Sequence, residues 1–284
     1  MVKPIFDISD ETQVTDDFSQ CRLLMEVNAN SFSYVLLNLR GMRPIAIKYY
    51  QWNQYKTEVL EKVLQEIVEN DPFLATNPDE TFLVYNFPES NLVPERLFSL
   101  DSNKELMDLV YGNVEKNLVL SEKIPWWEFH NVYRIPQEAH RLLQKKFSAG
   151  RYWHFYSLQL KCHKMFVAKA EEQFTKVYFY PEKIVVMIFK SGKLQLVQTF
   201  AYQDSKDIAY HLLNCCRQLD LSQEQTTFEL SGLIEQNSTL FEELNKYFLQ
   251  LHFEGIEDSI KMTDEMKEYP RHYFSSLLKM AICV

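Results

Sequence analysis

Residues 175–202, TKVYFYPEKIVVMIFKSGKLQLVQTFAY, decide the fold, because three apolar runs in this stretch are separated by two short breaks. β-Branched and aromatic side chains fill residues 175–180 and 183–189, and Pro181-Glu182 separates these two runs. Residues 190–193 form the second break, and residues 194–202 form the third run. Short apolar runs bounded by turn residues are typical of strands joined in hairpins. The stretch therefore predicts a three-stranded antiparallel meander.

The residues after the meander predict a helix, a strand and a second helix. Ser205 can cap a helix that ends near Asp220, because apolar residues recur at helical spacing between them. Residues 226–230 predict a fourth strand, and Ser231-Gly232 then breaks the chain. A second apolar stripe at helical spacing consists of Leu240, Leu244, Tyr247, Phe248 and Leu251. The order of elements in this half is βββαβα.

An earlier part of the chain repeats this plan. Its predicted elements are strands at residues 22–27, 32–39, 44–50 and 81–85 and an amphipathic helix at residues 54–70. Gly192 lies 151 positions after Gly41 in the two meander turns, and Phe228 lies 146 positions after Phe82 in the two fourth strands. Two offsets of nearly equal size indicate two lobes of one design.

A third match locates an insertion. Residues 154–158, HFYSL, resemble residues 272–276, HYFSS, which lie only 118 positions later. The smaller offset indicates that the first half carries 28 extra residues after its fourth strand, and we expect them at about residues 87–129. The predicted domains are an acidic lead-in with little structure at residues 1–20, a first lobe at residues 21–165 and a second lobe at residues 174–284.

Composition limits the classes of protein to which the chain can belong. Hydrophobic residues make up 46% of the 284 residues, which is ample for the cores of two lobes. The net charge of −9 opposes binding to nucleic acid or to anionic lipid. No apolar run reaches the ~18 residues of a membrane-spanning helix, and the first residues lack the apolar centre of a signal peptide. We therefore expect a cytoplasmic protein with no nucleic acid partner and no membrane insertion.

The duplicated order of meander, helix, strand and helix resembles the actin-like ATPase superfamily, in which two ribonuclease-H-like lobes flank a nucleotide cleft. This resemblance covers residues 21–284. Residues 91–98, NLVPERLF, together with 228–234, FELSGLI, and 238–242, STLFE, look like an uncharacterised bacterial family assigned to that superfamily. The resemblance implies a mixed-sheet α/β fold with two ribonuclease-H-like lobes, and no biochemical activity is established for the family. More distant relatives include actin-like scaffolds of type IV pilus and type II secretion systems, a kinship of fold alone.

The two turns that bind phosphate in active members of the superfamily have lost their glycines in this chain. Such turns carry an acid and glycines, because backbone amides must approach the phosphates closely. The first-lobe turn, residues 26–32, contains no glycine, and the second-lobe turn, residues 178–183, contains a proline, which cannot donate a hydrogen bond. We therefore expect a vestigial cleft that binds neither ATP nor magnesium. Its candidate residues are Glu26, Asn28, Asn30, Tyr180, Glu182 and Gly232.

No other arrangement of residues predicts catalysis. Glu26 could represent the metal-facing acid of a ribonuclease-H-like lobe, but one carboxylate cannot hold two magnesium ions. The strings typical of serine hydrolases, zinc proteases and P-loops are absent from the sequence. The five cysteines have neither a disulfide framework nor the spacing of a metal site. His154 and His272 lie at matched points of the repeat, which favours a shared structural role. We predict no catalytic residue and no metal site.

Three tryptophans give the best indication of a binding surface. Trp126, Trp127 and Trp153 lie in aromatic segments on either side of a helix predicted at residues 137–147. Neighbouring large aromatic side chains in an extended segment cannot all point into one core. Two interpretations remain open, which are packing between the lobes and a patch for a protein partner.

Two functional hypotheses follow from the glycine-free turns. The first is a noncatalytic interaction or scaffold protein on a degenerate actin-like fold, with an unidentified protein partner and a possible homo-oligomer. The alternative is an ATP-binding enzyme of the superfamily that uses magnesium in an atypical nucleotide cleft. Stabilisation by ATP and magnesium discriminates between them, because only a nucleotide that binds the folded state raises its stability.

Overall fold

The computed structural model describes residues 2–9, 18–53, 57–76, 78–166 and 172–284. The chain divides into two compact units. The first comprises Met1–Phe166, Ser259–Thr263 and Met280–Val284, and the second comprises Val167–Asp258 and Asp264–Lys279. The predicted boundary did not assign the two short C-terminal segments to the first unit. Most of the predicted junction between the lobes, at residues 164–173, lies outside the described residues.

The first unit has a six-stranded mixed sheet. In chain order its elements are β1 (Phe6–Ser9), β2 (Cys21–Val27), β3 (Ser31–Asn38), β4 (Arg43–Gln51), α1 (Thr57–Asn70), β5 (Glu80–Tyr85), β6 (Ser90–Pro94), α2 (Asn103–Tyr111), β7 (Asn117–Lys123), β8 (Phe129–Pro136), α3 (Gln137–Lys146), β9 (Arg151–His154) and α4 (Phe155–Phe166). The sheet order is β1-β4-β3-β2-β5-β9. β2 pairs in parallel with β5, and β5 pairs in parallel with β9, whereas the meander strands are antiparallel.

The second unit has the same sheet plan without the additional edge strand. Its elements are β10 (Gln173–Phe179), β11 (Lys183–Lys190), β12 (Lys193–Ala201), α5 (Ser205–Gln218), β13 (Thr227–Gly232), α6 (Thr239–Asn245), β14 (Leu251–Phe253) and α7 (His272–Cys283), whose last residues are assigned to the first unit. The sheet order is β12-β11-β10-β13-β14, and β10 pairs in parallel with β13. The predicted βββαβα order of both lobes is therefore confirmed.

The burial of the strands explains the sequence pattern that predicts them. The central strands β10 and β11 are buried at nearly every position, so their sequences are continuous apolar runs. The edge strand β12 has exposed positions along its length and mixes apolar residues with Lys, Gln and Thr. Each meander also has one irregular register step, between Leu36 and Leu37 in the first unit and between Ile188 and Phe189 in the second. The duplication therefore extends to a matched β-bulge.

Helices complete the two cores. Leu60, Leu64, Ile67 and Val68 of α1 are buried against the first sheet. The equivalent helix α5 buries Ile208, Leu212 and two cysteines against the second sheet. Full burial of such side chains stabilises a fold by roughly 1.5–3 kcal/mol each. The cap of α5 differs from the prediction, because Asp204 rather than Ser205 accepts hydrogen bonds from the first turn.

The predicted lead-in is wrong for residues 6–9, which form β1; residues 10–17 lie outside the described residues. β1 pairs antiparallel with β4, with Phe6 opposite Tyr49. Phe6 and Ile8 alternate with polar residues and are buried, so the strand adds one apolar face to the sheet edge. Lys48 Nζ lies 3.1 Å from an Asp7 carboxylate oxygen. The alternation of apolar and polar residues at positions 6–9 is the sequence pattern that indicates this strand.

The second predicted helix of the second lobe is shorter than its apolar stripe. α6 ends at Asn245, and Leu251 begins β14, which pairs in parallel with β13. The residues of the stripe beyond Asn245 fit a helix by spacing alone. Pairing with β13 instead satisfies backbone groups at the sheet edge, and this long-range interaction is not encoded in helical periodicity.

The insertion of the first lobe is larger than the sequence offset indicates. Residues 86–136 separate β5 from α3, and β6, β8 and β7 form a separate antiparallel sheet within them. The predicted end at about residue 129 falls short, because β8 continues to Pro136. The second lobe has its own insertion at residues 254–271, whereas β9 leads directly into α4. The offset of 28 residues therefore underestimates the first-lobe insertion, because the second-lobe insertion partly cancels it.

A buried arginine holds the first-lobe insertion together. Arg134 of β8 donates from Nε to Glu89 Oε2 at 2.7 Å and from Nη1 to the Gly112 carbonyl oxygen at 2.8 Å. Nη1 also lies 3.3 Å from Asp108 Oδ1 in α2. Charge-assisted hydrogen bonds of this kind are stronger than neutral ones. The guanidinium therefore ties the start of the insertion, α2 and β8 into one structure.

Gly232 is required where the second lobe's first and fourth strands end. Its φ is +90°, and it lies opposite Phe179 in the parallel pair of β10 and β13. A Cβ atom at this position would lie 2.4 Å from the Phe179 carbonyl oxygen, which in turn accepts a hydrogen bond from the Leu233 amide. Backbone strain and close approach both demand glycine here.

We predict that Gly232→Ala lowers the free energy of unfolding of the second unit by at least about 2 kcal/mol, because a positive φ and a backbone clash act together. Urea unfolding followed by far-ultraviolet circular dichroism measures this loss. Gly255→Ala is the matched control, since a Cβ atom at Gly255 has no atom within 4 Å. Equal stability of the two variants would contradict the close approach at Gly232.

Candidate functional site

The predicted first-lobe turn is held by hydrogen bonds within its own lobe. Glu26 is 4% exposed, and its Oε1 accepts hydrogen bonds from Asn28 Nδ2 at 3.1 Å and from Asn86 Nδ2 at 2.8 Å. The Asn28 amide donates to the Ser31 carbonyl oxygen at 2.9 Å and closes the hairpin between β2 and β3. Asn28 and Asn30 are both buried, and neither has a positive φ. The carboxylate is therefore engaged by two side-chain amides.

The predicted second-lobe turn is a closed hairpin between β10 and β11. The Tyr180 amide donates to the Lys183 carbonyl oxygen at 3.0 Å, and Pro181 has no amide hydrogen. Tyr202 braces the turn, because its hydroxyl donates to the Tyr180 carbonyl oxygen at 2.6 Å and its amide donates to the Glu182 carbonyl oxygen at 3.1 Å. Burial and the neighbouring Glu182 raise the pKa of Tyr202 to about 12. Gly232 ends the adjacent strand β13, next to Phe179. The structure thus brings Tyr180, Glu182 and Gly232 to one end of the second sheet.

Two of the three predicted tryptophans are half-buried against α4. Trp127 donates from Nε1 to the Leu160 carbonyl oxygen at 3.1 Å, and Lys164 Nζ lies 4.5 Å from the centre of its ring. Trp153 in β9 has Lys161 Nζ 5.2 Å from its ring centre. Cation–π contacts of this type stabilise by about 0.5–1 kcal/mol at exposed sites. These two rings therefore support α4 within the first unit.

The third tryptophan belongs to an exposed apolar surface. Trp126 is 64% exposed and has a φ of 63°, in the left-handed region that bulky residues rarely adopt. Six of the eleven exposed large apolar side chains of the described residues lie in the insertion at residues 86–136. We call these six the insertion surface: Leu97, Leu100, Leu109, Val110, Val114 and Trp126. Exposed apolar side chains mark a binding surface where they form one contiguous patch.

The matched histidines make the same interaction in both lobes. His154 Nε2 lies 3.0 Å from the carbonyl oxygen of Phe87, two residues after β5 ends. His272 Nε2 lies 2.5 Å from the carbonyl oxygen of Ile234, two residues after β13 ends. A carbonyl can only accept, so Nε2 is the protonated nitrogen in each ring. His154 Nδ1 accepts from the Tyr156 amide at 3.2 Å. Both histidines therefore join the last helix of a lobe to its fourth strand.

Each histidine is followed three residues later by a serine that forms a hydrogen bond to a glutamate, an arrangement that the sequence did not predict. Ser275 Oγ donates to Glu254 Oε2 at 2.9 Å. Ser157 forms a hydrogen bond to Glu122, whose Oε1 also accepts from the His154 amide at 2.8 Å. The only signal was the HFYS and HYFS match, since the glutamates lie in the two unmatched insertions. Ser157 and His154 are fully buried, so this arrangement anchors a helix and is closed to substrates.

The two glutamates have opposite electrostatic surroundings. Burial raises the pKa of Glu122 to about 7, despite hydrogen bonds from Ser157 and the His154 amide. Burial also opposes the charge of Glu254, but Lys176 and Lys279 outweigh it and lower the pKa to about 2. Lys279 Nζ lies 2.6 Å and Lys176 Nζ 2.9 Å from Glu254 Oε1. Glu254 is therefore ionised at neutral pH, whereas Glu122 titrates there.

We predict that Glu122→Gln flattens the pH dependence of stability. The folded state holds the Glu122 proton up to about pH 7 and the unfolded state loses it near pH 4.5, so the contribution of Glu122 to stability is fully present below pH 4.5 and is lost as pH rises to 7. The shift corresponds to about 3 kcal/mol. Glutamine keeps an uncharged acceptor for the His154 amide, so the variant should gain stability relative to the wild type at pH 8 but not at pH 4.

Tryptophan fluorescence during urea unfolding at the two pH values measures this difference, because all four tryptophans precede residue 166 and report on the first unit. Glu115→Gln, at an exposed position of the same insertion, is the control. An equal effect of Glu122→Gln at pH 4 and pH 8 would show that Glu122 is not protonated in the folded state.

The described residues contain no group of three or more His, Cys, Asp or Glu side chains placed to hold a metal ion. None of the helices within the described ranges combines the length and apolar composition needed to cross a bilayer. The five cysteines are buried free thiols.

Comparison with solved structures assigns the fold. A Bacteroides thetaiotaomicron protein described as having an actin-like ATPase fold and unknown function is similar, with a TM-score of 0.73, 17% identity and coverage of 84% of this chain and 91% of that one. A chain of the PilM–PilN type IV pilus biogenesis complex gives a TM-score of 0.55, 12% identity and coverage of 94% and 98%. The ethanolamine utilization protein EutJ from Carboxydothermus hydrogenoformans gives a TM-score of 0.50, 6% identity and coverage of 97% of this chain and 94% of that one. These similarities confirm the predicted actin-like ATPase architecture.

Comparison of sequences assigns the family. No curated protein matches the chain. Residues 10–251 match the family described as protein of unknown function DUF3822. Because this match spans most of the 284 residues, the chain belongs to the DUF3822 family, and its fold is that of the actin-like ATPases.

Proposed function

We propose that this chain is a noncatalytic, cytoplasmic interaction protein built on an actin-like fold. The closed turn between β10 and β11 carries the proposal, because a phosphate-binding turn must offer free backbone amides. Here Pro181 has no amide hydrogen, and the Tyr180 amide is bonded to the Lys183 carbonyl oxygen. The exposed Glu182 adds negative charge to the same turn and would repel a triphosphate. The residues present therefore do not fit the phosphates of ATP.

The first-lobe turn supports the same proposal. Asn28 and Asn86 already donate to the Glu26 carboxylate. A magnesium ion bound directly to this carboxylate would have to compete with both hydrogen bonds. The chain's net charge of −9 adds a general repulsion of polyanions, including nucleic acid.

The insertion surface is the proposed binding site for a protein partner. It exposes apolar side chains on a segment that Arg134 holds in place, so a partner would gain apolar contacts without first ordering a loop. A similar structure comes from the PilM–PilN complex, so a chain of this fold occurs in an assembly of two proteins. Trp126 belongs to this surface, whereas Trp127 and Trp153 support α4.

An ATP-binding enzyme is the second candidate, and one observation favours it. Asn28 Oδ1 and Ser31 Oγ are buried in the first-lobe turn without a hydrogen-bond partner among the described residues. Buried polar atoms of this kind need an explanation, and a bound group is one of them. Binding measurements with ATP and magnesium separate the two candidates.

We expect ATP with magnesium to leave the melting temperature of the protein unchanged. A ligand that binds only the folded state raises its stability by about 2.7 kcal/mol at a hundredfold excess over the dissociation constant, which is readily detected. Pro181→Gly should also show no binding heat in calorimetry, because the first-lobe turn remains without glycine. A magnesium-dependent shift in the wild type would overturn the noncatalytic proposal, and micromolar binding by Pro181→Gly would show an otherwise intact site.

We expect the double variant Leu100→Ser/Leu109→Ser to lose at least about tenfold of its partner recovery in affinity capture, because apolar contacts at the centre of an interface carry most of its energy. Both side chains are exposed, at 71% and 84%, so stability should change by less than about 0.5 kcal/mol each. Tyr210→Ser/Leu249→Ser removes exposed apolar side chains from the second unit and is the control. Equal recovery by both variants would exclude the insertion surface as the binding site.

A further inference from the structure

A second surface of the first unit is a groove between two contacting helices, α1 and α3. Its volume is about 420 Å³, and Val68 and Leu142 form the apolar part of its lining. The remaining lining residues are polar or charged: Glu61, Gln65 and Glu69 from α1, and Glu138, Arg141, Lys145 and Lys146 from α3. This groove is separate from the insertion surface and contains none of the predicted site residues.

The charges of the groove are divided between its two walls. The α1 wall carries Glu61 and Glu69. On the α3 wall, Glu138 is bonded to Arg141, with 2.6 Å between Oε1 and Nη1, so the remaining positive charge lies on Lys145 and Lys146. Within the described residues, neither these two lysines nor these two α1 glutamates form an ion pair. The walls therefore carry opposite charges that are not joined in ion pairs, although Glu69 Oε1 accepts a hydrogen bond from Gln65 Nε2 at 2.8 Å.

Local helix stability explains the α3 wall but not the α1 wall. Lys145 and Lys146 lie in the last turn of α3, where positive charge is favourable for the helix dipole. Glu69 lies in the last turn of α1, where negative charge is unfavourable and no basic residue is present. An exposed carboxylate placed against its own helix dipole gains from a cation supplied by another molecule.

We propose that this groove is the face through which two copies of the chain associate. A twofold axis parallel to the groove places α1 of each copy over α3 of the other, since rotation about that axis exchanges the two walls. Glu61 and Glu69 of each copy then face Lys145 and Lys146 of its partner, and every contact occurs twice. A partner with a uniform charge would be repelled by one of the walls, whereas a second copy is attracted by both.

The charge pattern determines how this dimer responds to salt. Six charged side chains and only two apolar ones line the groove, so electrostatic attraction between the charged groups determines how the two copies associate. Exposed charges are screened over about 10 Å at an ionic strength of 0.1 M. The dimer is therefore favoured at low salt and dissociates as sodium chloride is added. A dimer closed by the apolar insertion surface would persist as sodium chloride is added, because salt does not weaken apolar contacts.

Sedimentation velocity of full-length variants with reversed walls tests the proposal. Glu61→Lys/Glu69→Lys makes both walls positive, and Lys145→Glu/Lys146→Glu makes both negative. Each variant alone should dimerise at least about tenfold more weakly than the wild type, because like charges face each other. An equimolar mixture of the two should form a one-to-one heterodimer, because the positive walls of one variant then face the negative walls of the other.

A matched variant and the wild type complete the test. Lys193→Glu/Lys206→Glu reverses two lysines of the second unit and should dimerise like the wild type. A wild type that stays monomeric at low salt, dimers that survive both reversals, or a mixture that does not associate would each overturn the proposal. If a reversed variant fails to fold, as circular dichroism would reveal, the loss of the wild-type dimer on adding salt still decides the matter.

Discussion

The structure depends on a hydrogen bond that occurs once in each lobe, from a buried histidine at the last helix to a carbonyl just beyond the fourth strand. His154 reaches Phe87 and His272 reaches Ile234. In both lobes the fourth strand is paired in parallel with the first, so the chain must leave the sheet at a buried point where backbone carbonyls need donors. A side chain that supplies this donor fixes where the chain leaves, and the segments that follow can then differ in length. The first lobe uses that freedom for a separate three-stranded sheet, whereas the second turns directly towards α6.

The duplicated elements could be predicted from the sequence because both lobes use local signals. Apolar runs and turn residues located the meanders, and helical periodicity located α1 and α5. The errors occurred where a long-range contact decides the structure. β1 is a strand because it pairs with the open edge of β4. Leu251 belongs to the strand β14, and not to the helix that the apolar stripe predicts, because β14 pairs with the open edge of β13. The insertion length could not be obtained from one offset, since residues 254–271 of the second lobe partly cancel it.

The candidate site was predictable in composition but not in interactions. The absence of glycine from residues 26–32 and 178–183 is visible in the sequence, and hydrogen bonds within each lobe occupy the corresponding turns. The roles of the three tryptophans could not be predicted from the sequence, because all three lie in similar aromatic segments. Trp127 and Trp153 pack against α4, whereas Trp126 is exposed on the insertion. Glu122 and Glu254 gave no signal, since they lie in segments that have no counterpart in the other lobe.

Those two glutamates indicate what the duplication constrains. A serine three residues after each histidine requires an acceptor, and each lobe supplies a carboxylate from a different segment. In the second lobe two lysines compensate the buried charge, so Glu254 remains ionised. In the first lobe no cation is bonded to Glu122 among the described residues, and burial raises its pKa to about 7, which favours the protonated form below that pH. Because an uncompensated buried carboxylate is costly while a protonated one is not, the insertion of the first lobe is docked by a group whose charge depends on pH. Both lobes therefore place a carboxylate oxygen as acceptor for this serine. The second lobe neutralises its carboxylate with lysines, and the first lobe does so by protonation.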